Sequence, residues 1–294
     1  MKLRQTFAYL TFPVLLFTFV GLAAWGLDNG MPPAAWGVLL TVLNFTVILG
    51  FEQVLPRNPG MNVFRDRQSL NDIGHGLILA VAARPIGGAL SVVMVAVLAG
   101  LRGDAAATWW PDSWFFEAQL LWGLLFYTFM DYWTHRALHS VDRLWWFHAV
   151  HHDTPQMHIL KSGRLHLGEE LWGAVLRPVP LLILGAPAEV LVWMGLLSVF
   201  LGNLVHSNVD QRFPSWAHYF LPTVQLHNLH HAADRRYQDS NFSGFWPFWD
   251  VLFGSFNHPD RSTLGELGIE NSPVPQGFLG QVLFPFRAQL RPPR

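Results

Sequence analysis

The sequence predicts an all-α fold: a polytopic membrane helical bundle of about four to six membrane segments, carrying a cytosolic helical cap. Three observations predict it. Only 13% of the 294 residues are charged, 51% are hydrophobic and the mean hydropathy is positive, whereas a soluble domain carries about 25% charged residues. Apolar runs near the ~20 residues that span a bilayer recur along the chain. The 14 histidines are concentrated, most of them between His135 and His231, in stretches that follow apolar runs.

The first apolar run, residues 7–27, follows a short basic N-terminus. It is long for a signal peptide and lacks a small-x-small cleavage site, so it reads as a first transmembrane helix. The second covers residues 34–55. The third, residues 73–101, is interrupted at Arg84-Pro85 and is either one kinked helix or a re-entrant helix followed by a spanning one. The fourth covers residues 114–133. A hairpin of residues 171–184 and 188–205 turns at Gly185-Ala186-Pro187, and its first arm is short enough to dip in without crossing. The chain reads as a single domain: 1–133 mainly transmembrane helices, 134–260 a histidine-rich cap with the membrane hairpin 171–205, and 261–294 a Pro- and Arg-rich surface tail.

Basic residues orient it. Lys2 and Arg4 precede the first span, Arg57, Arg65 and Arg67 follow the second, and Arg136, Arg143, Lys161 and Arg164 follow the fourth. The loops between carry almost none. This alternation places the N-terminus, the histidine region and the C-terminus on the cytoplasmic side, with the bacterial inner membrane the expected location. Trp109, Trp110 and Trp114, in the segment 108–114, would form an interfacial belt on the other side. A net charge of −1 gives no reason to expect a nucleic-acid partner. The absence of cysteine excludes disulfides, thiolate metal sites, cysteine-ligated iron–sulfur clusters and a cysteine nucleophile.

Three histidine clusters carry the chemistry: His135-x-x-x-His139, His148-x-x-His151-His152 and His227-x-x-His230-His231. Residues three and four apart share a helix face, so every imidazole of a cluster can point the same way. Imidazole is the commonest neutral metal ligand. Eight of them exceed one tetrahedral site, and two metal ions follow. A lone His, or one i,i+4 pair, is an ordinary interfacial feature; two copies of His-x-x-His-His plus a His-x-x-x-His are not. The first two clusters follow the fourth span, and the third follows a hairpin that returns to the same side. All three can therefore meet in one cap at the bilayer surface. Asp131, one turn before His135, is placed to orient a ligand imidazole.

These clusters, with SNFSGFWPFWDVLFGSF after the third, resemble the fatty acid hydroxylase and sterol desaturase superfamily over residues 131–256. Asn241, Phe242, Gly244, Trp249, Asp250, Phe253 and Gly254 hold family positions, while Ser243 and Ser255 stand where Gly and Thr are usual. The resemblance implies two iron ions, dioxygen activation, and hydroxylation or desaturation of a C–H bond in a membrane lipid (sterol-like, fatty-acyl or carotenoid). It adds His206, in a fourth motif, as a ninth metal ligand. It also places Asn203 near the metals and His166 where relatives carry a histidine, with Glu170 beside it able to pair with Arg164 or support the site. His75, His158, His218 and His258 read as structural. No catalytic residue beyond the ligands is expected. Since the chain lacks a haem-attachment motif, a Gly-rich dinucleotide fingerprint and iron–sulfur cysteines, an external electron donor of ferredoxin or cytochrome type is expected. A membrane metal-binding or metal-transport protein is the alternative, and a zinc hydrolase a weaker one, since no HExxH is present.

Overall fold

The computed structural model describes residues 2–102 and 109–288. Helix α1 (Lys2–Asp28) turns at Gly30, whose φ of 74° is left-handed, and α2 (Pro33–Val54) opens on proline, which fits a helix's first turn. The two pack closely because Gly26 has no β-carbon. One there would lie 2.1 Å from Trp36 Nε1, which donates to the Leu22 carbonyl at 3.2 Å.

The third apolar stretch is one helical rod. Helix α3 (Ser69–Ile78) runs through a π-helical turn (Leu79–Ala83) into α4 (Arg84–Arg102). The widened turn ends at Ala83, two residues before Pro85, whose ring would otherwise press on the preceding turn. Helix α5 (Phe116–Ser140) continues unbroken through the expected fourth span to His139. Among the described residues, four helical stretches are long and apolar enough to cross a membrane: Leu3–Asp28, Pro33–Val54, Ser69–Leu98 and Ala188–Val205. Helix α5 is not among them; Glu117, Gln119 and Asp131 dilute its apolar character. Helix α6 (Asp142–His152) follows directly. The first hairpin arm is broken at Arg177-Pro178 into α7 (Leu167–Leu176) and α8 (Val179–Leu184), neither long enough to cross. Gly185, with φ 84°, leads into α9 (Ala188–Val205). The cap adds α10 (Val224–His230), α11 (Arg235–Gln238), α12 (Phe248–Leu252) and α13 (Phe278–Ala288). Among the described residues there is no strand, only the isolated bridges Pro56–Val209 and Ala232–Leu267.

The main core lies where α1, α2, α5 and α9 meet, with Phe19 stacked on Phe200 at 4.7 Å and Leu40, Ile48, Met194 and Leu204 buried around them. Two expectations need correction. Residues 261–288 are no loose tail: Val274, Phe284 and Ala288 are buried against Trp145, Trp146, Ala149 and Val150 of α6. An apolar face two turns long outweighs the Pro- and Arg-rich composition that suggested a surface segment; residues 289–294 lie outside the described part. The tryptophan belt is also divided. Trp109 and Trp114 are exposed, but Trp110 is buried and donates to Gln119 at 2.7 Å, while residue 108 lies outside the described part.

The cap is tied to the spans by buried charge. Lys161 is fully buried and bonds to Asp66 and Asp72, both at 2.6 Å. Arg164, also fully buried, bonds to Asp72 at 2.9 Å and donates to the Val150 carbonyl in α6 at 2.9 Å. His158 bonds to Asp66 at 2.9 Å. Beside this, Glu52 at the end of α2 accepts from the backbone of Ile159 and Asn208 at 2.8 and 2.7 Å. Breaking a buried ion pair strands its partner and costs about 3–5 kcal/mol. Lys161→Met should therefore lower the thermal midpoint of the detergent-solubilised protein or abolish folded yield. An unchanged melt would show that the network contributes nothing.

Candidate metal centre

All nine sequence-predicted histidines converge, in two groups. His135, His139, His148, His152 and His230 bring their ring nitrogens together in one; His151, His206, His227 and His231 do so in the other, within 4.8 Å in each case. The chain divides them in a way that the face rule did not anticipate. Adjacent histidines go to opposite groups: His152 to the first and His151 to the second, His230 to the first and His231 to the second. Neighbouring residues on a helix differ by about 100°, so one helix reaches both groups. The groups touch where His152 and His231 stack at 4.4 Å.

Backbone carbonyls fix the proton on three rings. His135 Nδ1 lies 2.6 Å from the Phe242 carbonyl, His230 Nδ1 2.8 Å from that of Ser240, and His206 Nδ1 2.6 Å from that of Gly202. A carbonyl only accepts, so Nδ1 donates and Nε2 presents a lone pair. Yet His135 Nε2 and His230 Nε2 stand 3.1 Å apart, lone pair to lone pair. His148 Nε2 is 3.0 Å from His135 Nε2, and His152 Nε2 is 3.1 Å from both His148 and His230. In the second group, His206 Nε2 is 2.7 Å from His227 and 3.1 Å from His151, with His231 3.1 Å from His227. Nitrogens bound at about 2.0–2.1 Å to one ion stand ~3 Å apart. The donor set thus fits metal ions and fits nothing in a hydrogen-bonded network.

Protonation is no substitute. Burial, reinforced by neighbouring imidazoles, pushes His151, His152, His227, His230 and His231 well below the usual histidine range. Burial takes His206 down to about 4 and His135 down to about 3. The rings are neutral at pH 7 and their lone pairs are available.

The supporting groups differ from those expected. Asp131 does not reach His135, whose Nδ1 is taken by Phe242; its carboxylate pairs with Arg177 at 2.8 Å and accepts from Gly244 N at 3.3 Å. His166 joins neither group; it caps α7, accepting from Gly168 N at 3.0 Å, and meets the Val282 carbonyl at 2.9 Å. Asn203 turns to Asn44 and Ser162, each at 2.8 Å. Arg164 pairs with Asp72 and not with Glu170. Two acidic residues were missed. Glu169 Oε1 is 2.7 Å from His148 Nδ1, and Asp239 accepts from His139 Nδ1 at 3.2 Å. Burial pushes Glu169 up to about 8, against the lowering effect of the nearby Arg177. His218 bonds to Thr223 at 2.9 Å and His75 meets Gln281 at 3.2 Å, both as structural groups.

The segment after the third cluster holds the histidines from outside. Asp250 accepts from the backbone of Phe242 and Ser243, both at 2.8 Å, and from Ser255 Oγ at 2.7 Å. This fixes the Phe242 carbonyl against His135, and Asn241 takes a φ of 52° to make the turn. Trp249 donates to Thr128 of α5 at 2.9 Å.

The fatty acid hydroxylase family model matches residues 120–255, which contain all nine histidines. An ornithine lipid hydroxylase of Rhizobium tropici is 32% identical over 85% of this chain and 76% of its own length. The chain belongs to the fatty acid hydroxylase family. A human alkylglycerol monooxygenase is 26% identical over 42% of this chain and 27% of its own length. A very-long-chain aldehyde decarbonylase of Arabidopsis thaliana is 28% identical over 48% of this chain and 24% of its own. No solved structure matches. Family membership makes the protein an oxidoreductase, in keeping with its membrane helices and its histidine groups.

Partners that fix a ligand's second nitrogen typically contribute 10–100-fold to metal affinity. Glu169→Leu should weaken metal retention by about that factor, whereas Glu169→Gln, which keeps an acceptor for His148, should lose less. Elemental analysis after graded chelation measures it; equal loss in both variants would mean that the acceptor oxygen facing His148 is not what retains the metal.

Proposed function

We propose that this family member is a di-iron, dioxygen-dependent hydroxylase of a membrane lipid. The observation that supports it most is the pair of imidazole groups, five and four strong, whose lone pairs converge at the ends of membrane helices. Two irons, when bound by His135, His139, His148, His152 and His230 and by His151, His206, His227 and His231, would supply dioxygen activation and attack on an unactivated C–H bond. The balance is R–H, dioxygen, two electrons and two protons giving R–OH and water. The two electrons come from an external donor of ferredoxin or cytochrome type.

The chain's own residues do the rest. The carbonyls of Phe242, Ser240 and Gly202 and the carboxylates of Glu169 and Asp239 hold the imidazoles in one tautomer and orientation. Burial keeps water from the rings and keeps them neutral. Hydroxylation is favoured over desaturation because it requires one hydrogen abstraction, and relatives carry the names hydroxylase and monooxygenase. A metal transporter would place its ligands near the bilayer midplane; here His206 follows the last residue of α9, and His135 and His139 lie in the last turns of α5.

With labelled dioxygen and a competent reductant, the iron-loaded protein should add one labelled oxygen atom to a lipid and contain two irons per chain. His152→Ala and His231→Ala, one from each group, should each cut turnover by more than the ~100-fold that losing a supporting partner costs. Loss of two hydrogens without label would mean desaturation, and no oxygen uptake would remove the oxygenase reading. A cytoplasmic centre is part of this proposal, supported by the alternation of basic residues. In this cysteine-free chain, a cysteine at exposed Ser140 should resist an impermeant reagent added outside, while one at exposed Asn29 should react. The reverse pattern would invert the orientation.

A further inference from the structure

An apolar slot of about 850 Å³ opens between α2 and α3 and is floored by the turn of residues 159–163 and by α9. Val42, Phe45, Leu49, Ile73 and Leu77 form its walls. The turn packs on α3 with Gly163 facing Gly76, where a β-carbon would stand 3.5 Å from the Gly76 Cα. Two features distinguish it from the other large apolar groove, of about 670 Å³ along α1, α5 and α9. Its lining includes Asn203, one helical turn before His206 and so on the same side of α9. It also includes Arg67, exposed and without an ion pair or side-chain hydrogen bond among the described residues. Arg67 follows the end of α2 and precedes the start of α3, at the depth where two spans leave the membrane. From Val54 down to Val42, α2 descends ~18 Å, about the ~15 Å of one leaflet's hydrocarbon.

We infer that this slot holds one acyl chain of an anionic phospholipid, with the headgroup phosphate on Arg67. This rests on the lipid-hydroxylase reading and names its substrate class. Asn203 bonds to Asn44, two residues from Val42, so a chain entering at Arg67 reaches it deep in the slot, and the carbons presented toward His206 are those far from the headgroup. The far end of the chain lies between Val42 and Leu77, where wall size sets the length accepted. A desolvated acyl chain gains from burial in the slot, while Arg67 adds the attraction of a basic residue for anionic lipid.

The test is native mass spectrometry of the full-length protein released from micelles doped with phosphatidylglycerol or phosphatidylcholine of graded chain length. The wild type should retain phosphatidylglycerol about fivefold over phosphatidylcholine, Arg67→Gln should erase that preference, and Arg67→Lys should restore part of it. Val42→Trp, at a 57% exposed position, should shift retention toward shorter chains. Leu121→Trp, which fills the other groove at a 67% exposed position, should change neither. A length shift with Leu121→Trp instead, or a preference unaffected by Arg67→Gln, overturns the assignment. Because the readout is binding, the two readings fail separately. Retention that follows this pattern while no lipid is oxidised sinks the oxygenase reading and leaves the slot; oxidation that ignores Arg67 and Val42 does the opposite.

Discussion

Everything in the cap depends on one unfavourable fact: neutral imidazoles are held with their lone pairs facing each other. His135 and His230 show it most plainly, since each has its proton committed to a carbonyl and its free electrons pointed at the other, 3.1 Å away. Such an arrangement does not form for its own stability. It has to be imposed by the surrounding structure, and a cation between the nitrogens reverses its sign. The rest of the cap can be understood as what imposes it.

The means are polar and buried. Lys161 and Arg164 have no access to solvent, and their carboxylate partners come from the segment joining α2 to α3 and from the start of α3. Arg164 also grips the Val150 carbonyl, next to His151. Glu52 reaches up from α2 to the backbone of Asn208, two residues past His206. The spans therefore hold α6 and the end of α9 by hydrogen bonds whose loss would leave charge in a dry interior. Buried ion pairs are weak sources of stability but strong penalties when broken, which suits a device that must fix position. On the opposite side Asp250 performs the same service for Phe242, and through it for His135.

Much of this was legible in the sequence, and what was not has physical causes. Eight of the nine histidines could be found because ligand spacing on a helix is periodic; His206 was reached only through the family resemblance. The all-helical membrane fold followed from apolar run length and charge deficit. Asp131 was placed beside His135 by helix period alone, but Arg177 lies closer to its carboxylate, and a contact 46 residues away has no period. Glu170 was singled out and Glu169 was not, because choosing between adjacent acids needs the helix's rotation about its axis. That rotation is set where His166 caps α7. The packing of α13 on α6 was hidden by composition: Pro and Arg suggested a tail, while Phe284 and Ala288 formed the face that is buried.

The least expected result is how few residues build a two-centre site. Helices α6 and α10 are only 11 and 7 residues long, yet each serves both groups. The i,i+4 pair of each helix goes to one group, His148 with His152 and His227 with His231, and the third histidine crosses to the other. His151 therefore leaves its own helix partners to join those of α10, and His230 does the reverse. Neither group can be assembled from one helix, and neither helix can shift without disturbing both groups. The His-x-x-His-His spacing is thus the spacing of a shared wall. Read as a single face, it gives one cluster of imidazoles; read as two faces about 100° apart, it gives two adjoining groups. The stack of His152 on His231 is where that wall is thinnest.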